Sequence, residues 1–364
     1  MSFNLGIINL PNNPKLIKDL SLACARMEKK LSKINFFDLN ITEYNKKYIN
    51  QMIGTHDGLI NTLRKYAFVL SWALDKKYGK ENLTFLDYGA GHGLMSMLAK
   101  ELGIKHVLLS DIFPPSMDDA KVLAKKLNLS IDHFIVGDIP DTLEYLKQNN
   151  INIDVISNYD TIEHIYKIED FIKALPMFGS NINYFFGSGA NGSNPFIDKK
   201  LRSIHKQIER IDKEVKEGHK ASDSVKAYTT IRREIILEKH QDLDEKDLNQ
   251  IVRLTRGKRK DDILRGVEEF KRSGNLPIEI SESTDTCDPM NGNWAEHIMD
   301  PFELNKKFEK VGFKNTFVLA GFYGKPKKLI NKIAGFFFNV YIKVMPPKLG
   351  LKLAPYYAIY GEIN

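Results

Sequence analysis

Cysteine is scarce in this chain. Cys24 and Cys287 are the two cysteines in 364 residues, far apart and outside any Cys-x-x-Cys spacing. That excludes a disulfide framework and argues against a structural zinc site, and it suits a reducing compartment. No stretch approaches the roughly 20 apolar residues that a spanning helix needs. Residues 1–15 lack a basic start followed by an apolar core, so no secretory leader is expected and the expected location is the cytoplasm. Internal repeats and low-complexity tracts are absent as well. Acid is missing from one segment: residues 325–352, bounded by Lys325 and Lys352, hold seven lysines and no Asp or Glu, which equals the formal net charge of +7. The basic balance therefore describes one segment, not a nucleic-acid-like surface, and DNA is not an expected partner. What is present, 43% hydrophobic and 27% charged residues, is enough to bury a full core in one large domain, or in one domain with a sizeable insertion.

Four regions follow from the patterning. Residues 1–80 read as mostly helical, with apolar positions near a 3.6 period over 14–30 and 59–78. Residues 81–192 alternate strands (84–88, 106–110, 132–136, 153–157, 183–186) with helices (94–102, 116–127, 140–148, 167–175), which predicts a parallel sheet covered on both faces. Residues 193–295 break the pattern. They are charged and helical in texture, with 21 basic and 16 acidic residues over 198–272, a balance that favours a solvated helical cap over a nucleic-acid groove. A polar loop over 276–294 follows. Residues 296–364 resume the core with a helix (302–311), a strand (314–322), a basic aromatic helix and a last strand (356–363). The predicted fold is α/β, a doubly wound seven-stranded Rossmann-like sheet with a helical insertion.

The chain is organised around Thr84 to Gly93, Thr-Phe-Leu-Asp-Tyr-Gly-Ala-Gly-His-Gly. An apolar run ends in an acid, glycines follow at alternate positions, and an amphipathic helix begins. Such a turn lets a ligand approach the backbone closely and presents free N–H groups to it. Asp87, Asp111 and Asp138 sit at the ends of three successive strands, which a doubly wound sheet brings together at its switch point. Asp111 suits ribose hydroxyls, and Asp138 with Ile139 suits an adenine edge. Asp87 either orients the glycine turn or reaches a ligand amino group.

Leu-Asp-Tyr-Gly-Ala-Gly-His-Gly at 86–93, Ser-Asp-Ile at 110–112, Gly-Asp-Ile at 137–139 and Asp-Val-Ile-Ser-Asn at 154–158 together resemble the class I S-adenosylmethionine-dependent methyltransferases. The resemblance covers about 83–189 and resumes near 300. It implies an antiparallel pair for the last two strands. It also implies that Gly89, Gly91 and Gly93 back the methionine part, Asp111 and Ile112 meet the ribose, Asp138 and Ile139 flank the adenine, and Asn158 lines the cofactor. The competing class, an NAD-dependent oxidoreductase, expects Gly-x-Gly-x-x-Gly, whereas the spacing here is Gly-x-Gly-x-Gly.

The fourth strand is followed by Asn158-Tyr-Asp-Thr-Ile-Glu-His-Ile165. Asp160, Glu163 and His164 stand where a parallel sheet carries its chemistry, and three readings stay open. His164 is a general base oriented by an acid. Alternatively, acid-x-x-Glu-His resembles the Mg²⁺ or Mn²⁺ motif of some small-molecule and RNA O-methyltransferases, with Asp160 where Glu is usual. In the third reading, Glu163 and His164 merely start a helix. Asn191, before the insertion, and Trp294, Glu296 and His297, after it, are candidate acceptor contacts. The expected activity is O-methylation of a polar small molecule, such as a nucleotide-, lipid- or polysaccharide-linked sugar, with a metal-dependent RNA methyltransferase as an alternative. The lysine segment reads either as a docking element for an anionic membrane, peripheral to its inner face, or as an amphipathic helix packed on the sheet.

Overall fold

The computed structural model describes residues 3–214, 220, 223–274, 284–324 and 329–363, without the side chains of 329–332. Five short apolar runs form the parallel strands β1 (Thr84–Tyr88), β2 (His106–Asp111), β3 (His133–Val136), β4 (Val155–Tyr159) and β5 (Ile182–Ser188). β1 and β5 are buried at every residue, as strands covered on both faces must be. The crossovers are α4 (Leu94–Leu102), α5 (Pro114–Lys126), α6 (Ile139–Gln148) and α7 (Ile168–Ala174). With β6 (Lys314–Ala320) and β7 (Tyr357–Ile363), the seven-stranded sheet has the order β3-β2-β1-β4-β5-β7-β6. β7 runs antiparallel between β5 and β6, the expected closing pair. The switch point lies where β1 meets β2 on one side and β4 on the other.

Alternation along the strands feeds two cores. On one face α1 (Pro14–Leu31), α3 (His56–Leu74) and α4 cover the sheet, and Phe68 of α3 meets Phe185 of β5 edge to face at 5.6 Å. On the other, Phe308 of α12 (Pro301–Lys310) stacks on Tyr184 at 4.3 Å. α2 (Glu43–Ile53), within the stretch read as mostly helical but not singled out there, is pinned to α5. Asp119 accepts from the Thr42 N–H, the Thr42 hydroxyl and the Asn45 amide. β4 begins two residues later than expected, and the Ile153 N–H goes to the Phe178 carbonyl, outside the sheet.

The insertion holds α8 (Pro195–Arg210), α9 (Tyr228–Lys239), α10 (Glu245–Leu254) and α11 (Lys260–Ser273) around a small apolar cluster of its own. Part of the expected loop, 276–283, lies outside the described residues, as does residue 275 before it. α13 (Leu329–Val344) and α14 (Pro347–Gly350) precede β7. Lys325, Lys327 and Lys328 lie outside the described residues, as does the side chain of Lys332.

Candidate active site

β1 leads into α4 through Gly89, Gly91 and Gly93, all at positive φ (+70°, +53° and +75°). Their roles differ. A Cβ at Gly89 would stand 2.2 Å from Thr161 Cγ2, and one at Gly93 would stand 2.5 Å from Leu109 Cδ2, so these two let the turn pack against its neighbours. Gly91 faces open space and lines a cavity of about 1360 Å³. Its N–H donates to Asp111 Oδ2 at 2.8 Å, and the Phe113 N–H donates to Oδ1 at 2.8 Å. Asp111 is thus fixed at the end of β2, with a lone pair left on each oxygen. Asp87 is buried and accepts the Ser96 hydroxyl at 2.6 Å, which ties β1 to α4; burial pushes its carboxyl up to about 7. Of its two expected roles, this geometry is that of orienting the turn.

Asp138 caps α6, accepting from the Ile139 N–H at 2.8 Å and from the Tyr88 hydroxyl. Ile112, half exposed, and Ile139 line the same stretch of wall, an apolar slot beside a carboxylate. Asn158 lies elsewhere. Alternation along β4 turns it away from the cavity-lining Tyr159, and it is fully buried opposite Phe186 of β5 with neither amide atom hydrogen-bonded.

The same cavity runs on to the reaction side. Asp160 (φ +55°) and Glu296 (φ +63°) both line it with left-handed backbone, a conformation that costs non-glycine residues on the order of 1 kcal/mol. Asp160 is accessible inside the cavity although protein surrounds it. Its Oδ1 accepts the Gly189 N–H at 2.9 Å, which also reaches Glu163 Oε1 at 3.2 Å. Glu163 Oε2 is buried without a partner of hydrogen-bonding geometry, near Asp160 and Ser188. His164 Nδ1 lies 2.7 Å from the Trp294 carbonyl, and its Nε2 lies 4.0 Å from Glu296 Oε1. One ligand atom from each of Glu163, His164 and Glu296 lies within 4.8 Å of the others. Burial raises all three carboxyls. Glu163 goes well above the usual range, helped by Asp160 and Glu296, whereas Lys65 pulls Asp160 back and His164 pulls Glu296 back. Three acids face one imidazole and the Lys65 ammonium, so acids outnumber bases here.

The other expected contacts separate. Trp294 lines the cavity, with its Nε1–H on the Tyr166 carbonyl at 3.1 Å. His297 stands behind it, stacked on the indole at 4.4 Å and bonded through Nδ1 to Asp285 at 2.6 Å. Asn191 is fully buried and braces β5 to the C-terminal segment, donating to the Leu351 and Ala354 carbonyls at 2.9 Å each. Buried carbonyls need donors, and that is its work.

Tyr44, Asn45 and Tyr48 of α2, together with Lys220, line the cavity without having been anticipated, and His92 of the glycine turn lines it too. Lys220, from the insertion, stands 4.9 Å from the ring of Phe113 and 5.7 Å from that of Tyr44. His92 accepts the Leu94 N–H at Nδ1, turns Nε2 to Met52 Sδ at 3.4 Å, and is held neutral by burial, which lowers it to about 4. Thr42 ahead of Glu43, with Tyr44/Tyr48 and Ile49/Ile53 at i, i+4 spacing, is the signal that reveals α2.

No family model matches the chain. The ribosomal protein L11 methyltransferase of Clostridium perfringens is 36% identical over 72 residues, 20% of this chain and 23% of that protein. The ubiquinone biosynthesis O-methyltransferase of Bartonella tribocorum is 34% identical over 94 residues, 26% of this chain and 36% of that protein. The matches thus span from 23% to 36% of these curated relatives' length. A crystal structure of a SAM-dependent methyltransferase from Archaeoglobus fulgidus overlays on 88% of this chain and 99% of its own, at a TM-score of 0.39 and 14% identity. Stretches of 72 and 94 residues are thus similar in sequence to curated methyltransferases, and the strand order with its antiparallel closing pair is the one expected for this chain.

Proposed function

We propose that this chain transfers a methyl group from S-adenosylmethionine to a hydroxyl oxygen of a polar small-molecule or glycan acceptor, such as a nucleotide-, lipid- or polysaccharide-linked sugar. The observation that carries the reading is the single cavity, lined at one end by Gly91, Asp111, Asp138 and Ile139 and at the other by Asp160, His164, Trp294 and Glu296. The first group fits a nucleoside. Asp111 has lone pairs for ribose hydroxyls, Ile112 and Ile139 offer apolar contact to a flat ring, and Gly91 leaves the backbone open. When bound, the cofactor supplies an electrophilic methyl carbon on a sulfonium. The acceptor hydroxyl must lose a proton as it is alkylated, and His164 Nε2 is the base in this reading. Trp294 gives a sugar ring a flat partner. The near balance of charge across the insertion supports a neutral polar acceptor over a nucleic acid.

Calorimetric titration with S-adenosylhomocysteine tests the cofactor half. Binding is expected, and Asp111→Ala is expected to weaken it at least tenfold. Tight NAD binding in its place would overturn the reading.

A second reading adds Mg²⁺ or Mn²⁺, favoured by the clustering of Glu163, His164 and Glu296 and by the unpartnered Glu163 Oε2. Two carboxylates and an imidazole suit such ions, and a cation would relieve the crowding of acids. It would lower the pKa of an acceptor hydroxyl, and the terminal ribose of an RNA would serve as well as a glycan sugar. Mn²⁺ titration followed by electron paramagnetic resonance checks this branch. Binding lost in Glu163→Gln supports it, and free Mn²⁺ throughout removes it.

A further inference from the structure

We propose that α13 docks this protein on an anionic lipid bilayer, lying in the interface and not crossing it. One side of α13 is held by the rest of the chain. Ile342 is buried, and Asn339 exchanges two hydrogen bonds with Tyr323, accepting from its N–H at 2.8 Å and donating to its carbonyl at 2.9 Å. Phe338 meets the Tyr323 ring at 5.4 Å. The outward side carries Ile333, Phe336, Phe337, Val340 and Val344, each between 45% and 67% exposed. Their spacing of i, i+3, i+4, i+7 and i+11 makes one continuous stripe. A helix on the surface of a globular domain normally turns charged and polar residues outward. Here residues 333–342 contain no charged residue at all, and Met345 and Leu349 extend the exposed apolar surface past the helix end. Single exposed hydrophobics are ordinary, but a stripe of this kind marks an interaction surface.

Charge selects what covers it. Lysines bracket the stripe, with Lys325, Lys327, Lys328 and Lys332 before it and Lys343, Lys348 and Lys352 after it, and no acid interrupts 325–352. The last three are exposed. Phenylalanine rings entering the acyl boundary while exposed lysines beside them, here Lys343, Lys348 and Lys352, reach acidic headgroups is the arrangement of an interfacial helix. A second copy of this chain would cover the apolar stripe but would bring two acid-free lysine clusters together. Length decides between lying on the membrane and spanning it. The 16 residues of α13 rise roughly 24 Å, short of the roughly 30 Å hydrocarbon core. Among the described residues no helix is long and apolar enough to cross a membrane.

Co-sedimentation of the full chain with vesicles of phosphatidylcholine alone, or of phosphatidylcholine with phosphatidylglycerol in equal parts, tests the proposal. Binding to the anionic vesicles is expected to be at least tenfold tighter than to the neutral ones and to fade with added salt. The double variant Phe336→Ser/Phe337→Ser should lose at least tenfold in that binding while keeping the wild-type melting temperature and S-adenosylhomocysteine affinity. Absence of binding to both vesicle types overturns the proposal, as does equal binding by the double variant. Light scattering that finds a wild-type dimer dissolved by the same substitutions also overturns it, because the stripe would then be a self-interface.

Discussion

The imidazole of His164 donates its Nδ1 proton to the main-chain carbonyl of Trp294 at 2.7 Å. A carbonyl can only accept, so the proton must sit on Nδ1, and the neutral ring keeps a lone pair on Nε2, inside the cavity. One bond thereby fixes the tautomer and joins the loop after β4 to the return from the insertion. His164→Asn separates these two tasks, since the asparagine amide reproduces the Nδ1 donor and has nothing at Nε2. The variant should melt within a few degrees of wild type and bind S-adenosylhomocysteine normally, yet methylate on the order of 10²-fold or more slowly. A variant with near wild-type turnover would remove the base from His164.

Asp87 makes stability depend on pH in a defined direction. Its folded pKa of about 7 lies above the unfolded value of about 4. Between those values the unfolded chain has released a proton that the folded chain still holds. Stability therefore falls as pH rises through that window, and the loss persists above it. Asparagine carries no such penalty and still accepts the Ser96 hydroxyl. Asp87→Asn should match wild type near pH 4 and exceed it by a few kcal/mol near pH 8, read from denaturant midpoints across the range. Equal midpoints near pH 8 would mean that the buried carboxylate is compensated by a group other than Ser96.

Local patterns carried most of the fold into the sequence. The glycine spacing, the acids closing β1 and β2 and the one after β3, and the strand-helix alternation depend on neighbours a few residues apart, and they predict the parallel sheet; the antiparallel closing pair is what the family resemblance implies. What stayed hidden depends on which way a side chain turns. Asn158 is expected at the cofactor by the family resemblance alone. A start of β4 at Val155 instead of residue 153 does not alter its parity; the register against Phe186 is what buries it. Asn191 looked like an acceptor contact because it is polar and near the insertion, but the carbonyls that claim it lie some 160 residues on, at Leu351 and Ala354. α2 lies inside the stretch read as mostly helical, but its 11 residues are a short window for periodicity, so it was not singled out, and with it went Tyr44 and Tyr48. The meeting of Glu296 with His164 links positions 132 residues apart, a relation that no spacing rule contains.

A buried ion pair is one of the links between the insertion and the reaction side, beside His205 of α8, which bonds the Ala295 and Glu296 carbonyls. Arg232 of α9 gives two hydrogen bonds to Glu209 of α8, at 3.0 and 2.6 Å, and a third to the Val252 carbonyl at 3.0 Å. Burial pushes the Glu209 carboxyl up, but the bonds from Arg232 and Thr286 outweigh it and hold the carboxyl below its ordinary value. Thr286 donates to Glu209 and, through its carbonyl, accepts the Ala295 N–H at 2.9 Å, one residue before Glu296. Removing one partner of such a pair strands a charge in the interior at a cost of about 3–5 kcal/mol. The insertion's apolar cluster is separate from the two sheet cores, so that cost falls locally. In Arg232→Met, hydrogen exchange should accelerate on the order of 10²-fold or more across α9 and α10 while β1 and β4 keep their protection. S-adenosylhomocysteine should still bind, because Asp111 and Asp138 belong to the sheet, whereas acceptor methylation should collapse as Glu296 and Trp294 lose their support. Normal turnover in a protein whose insertion exchanges freely would show that the acceptor does not depend on the insertion.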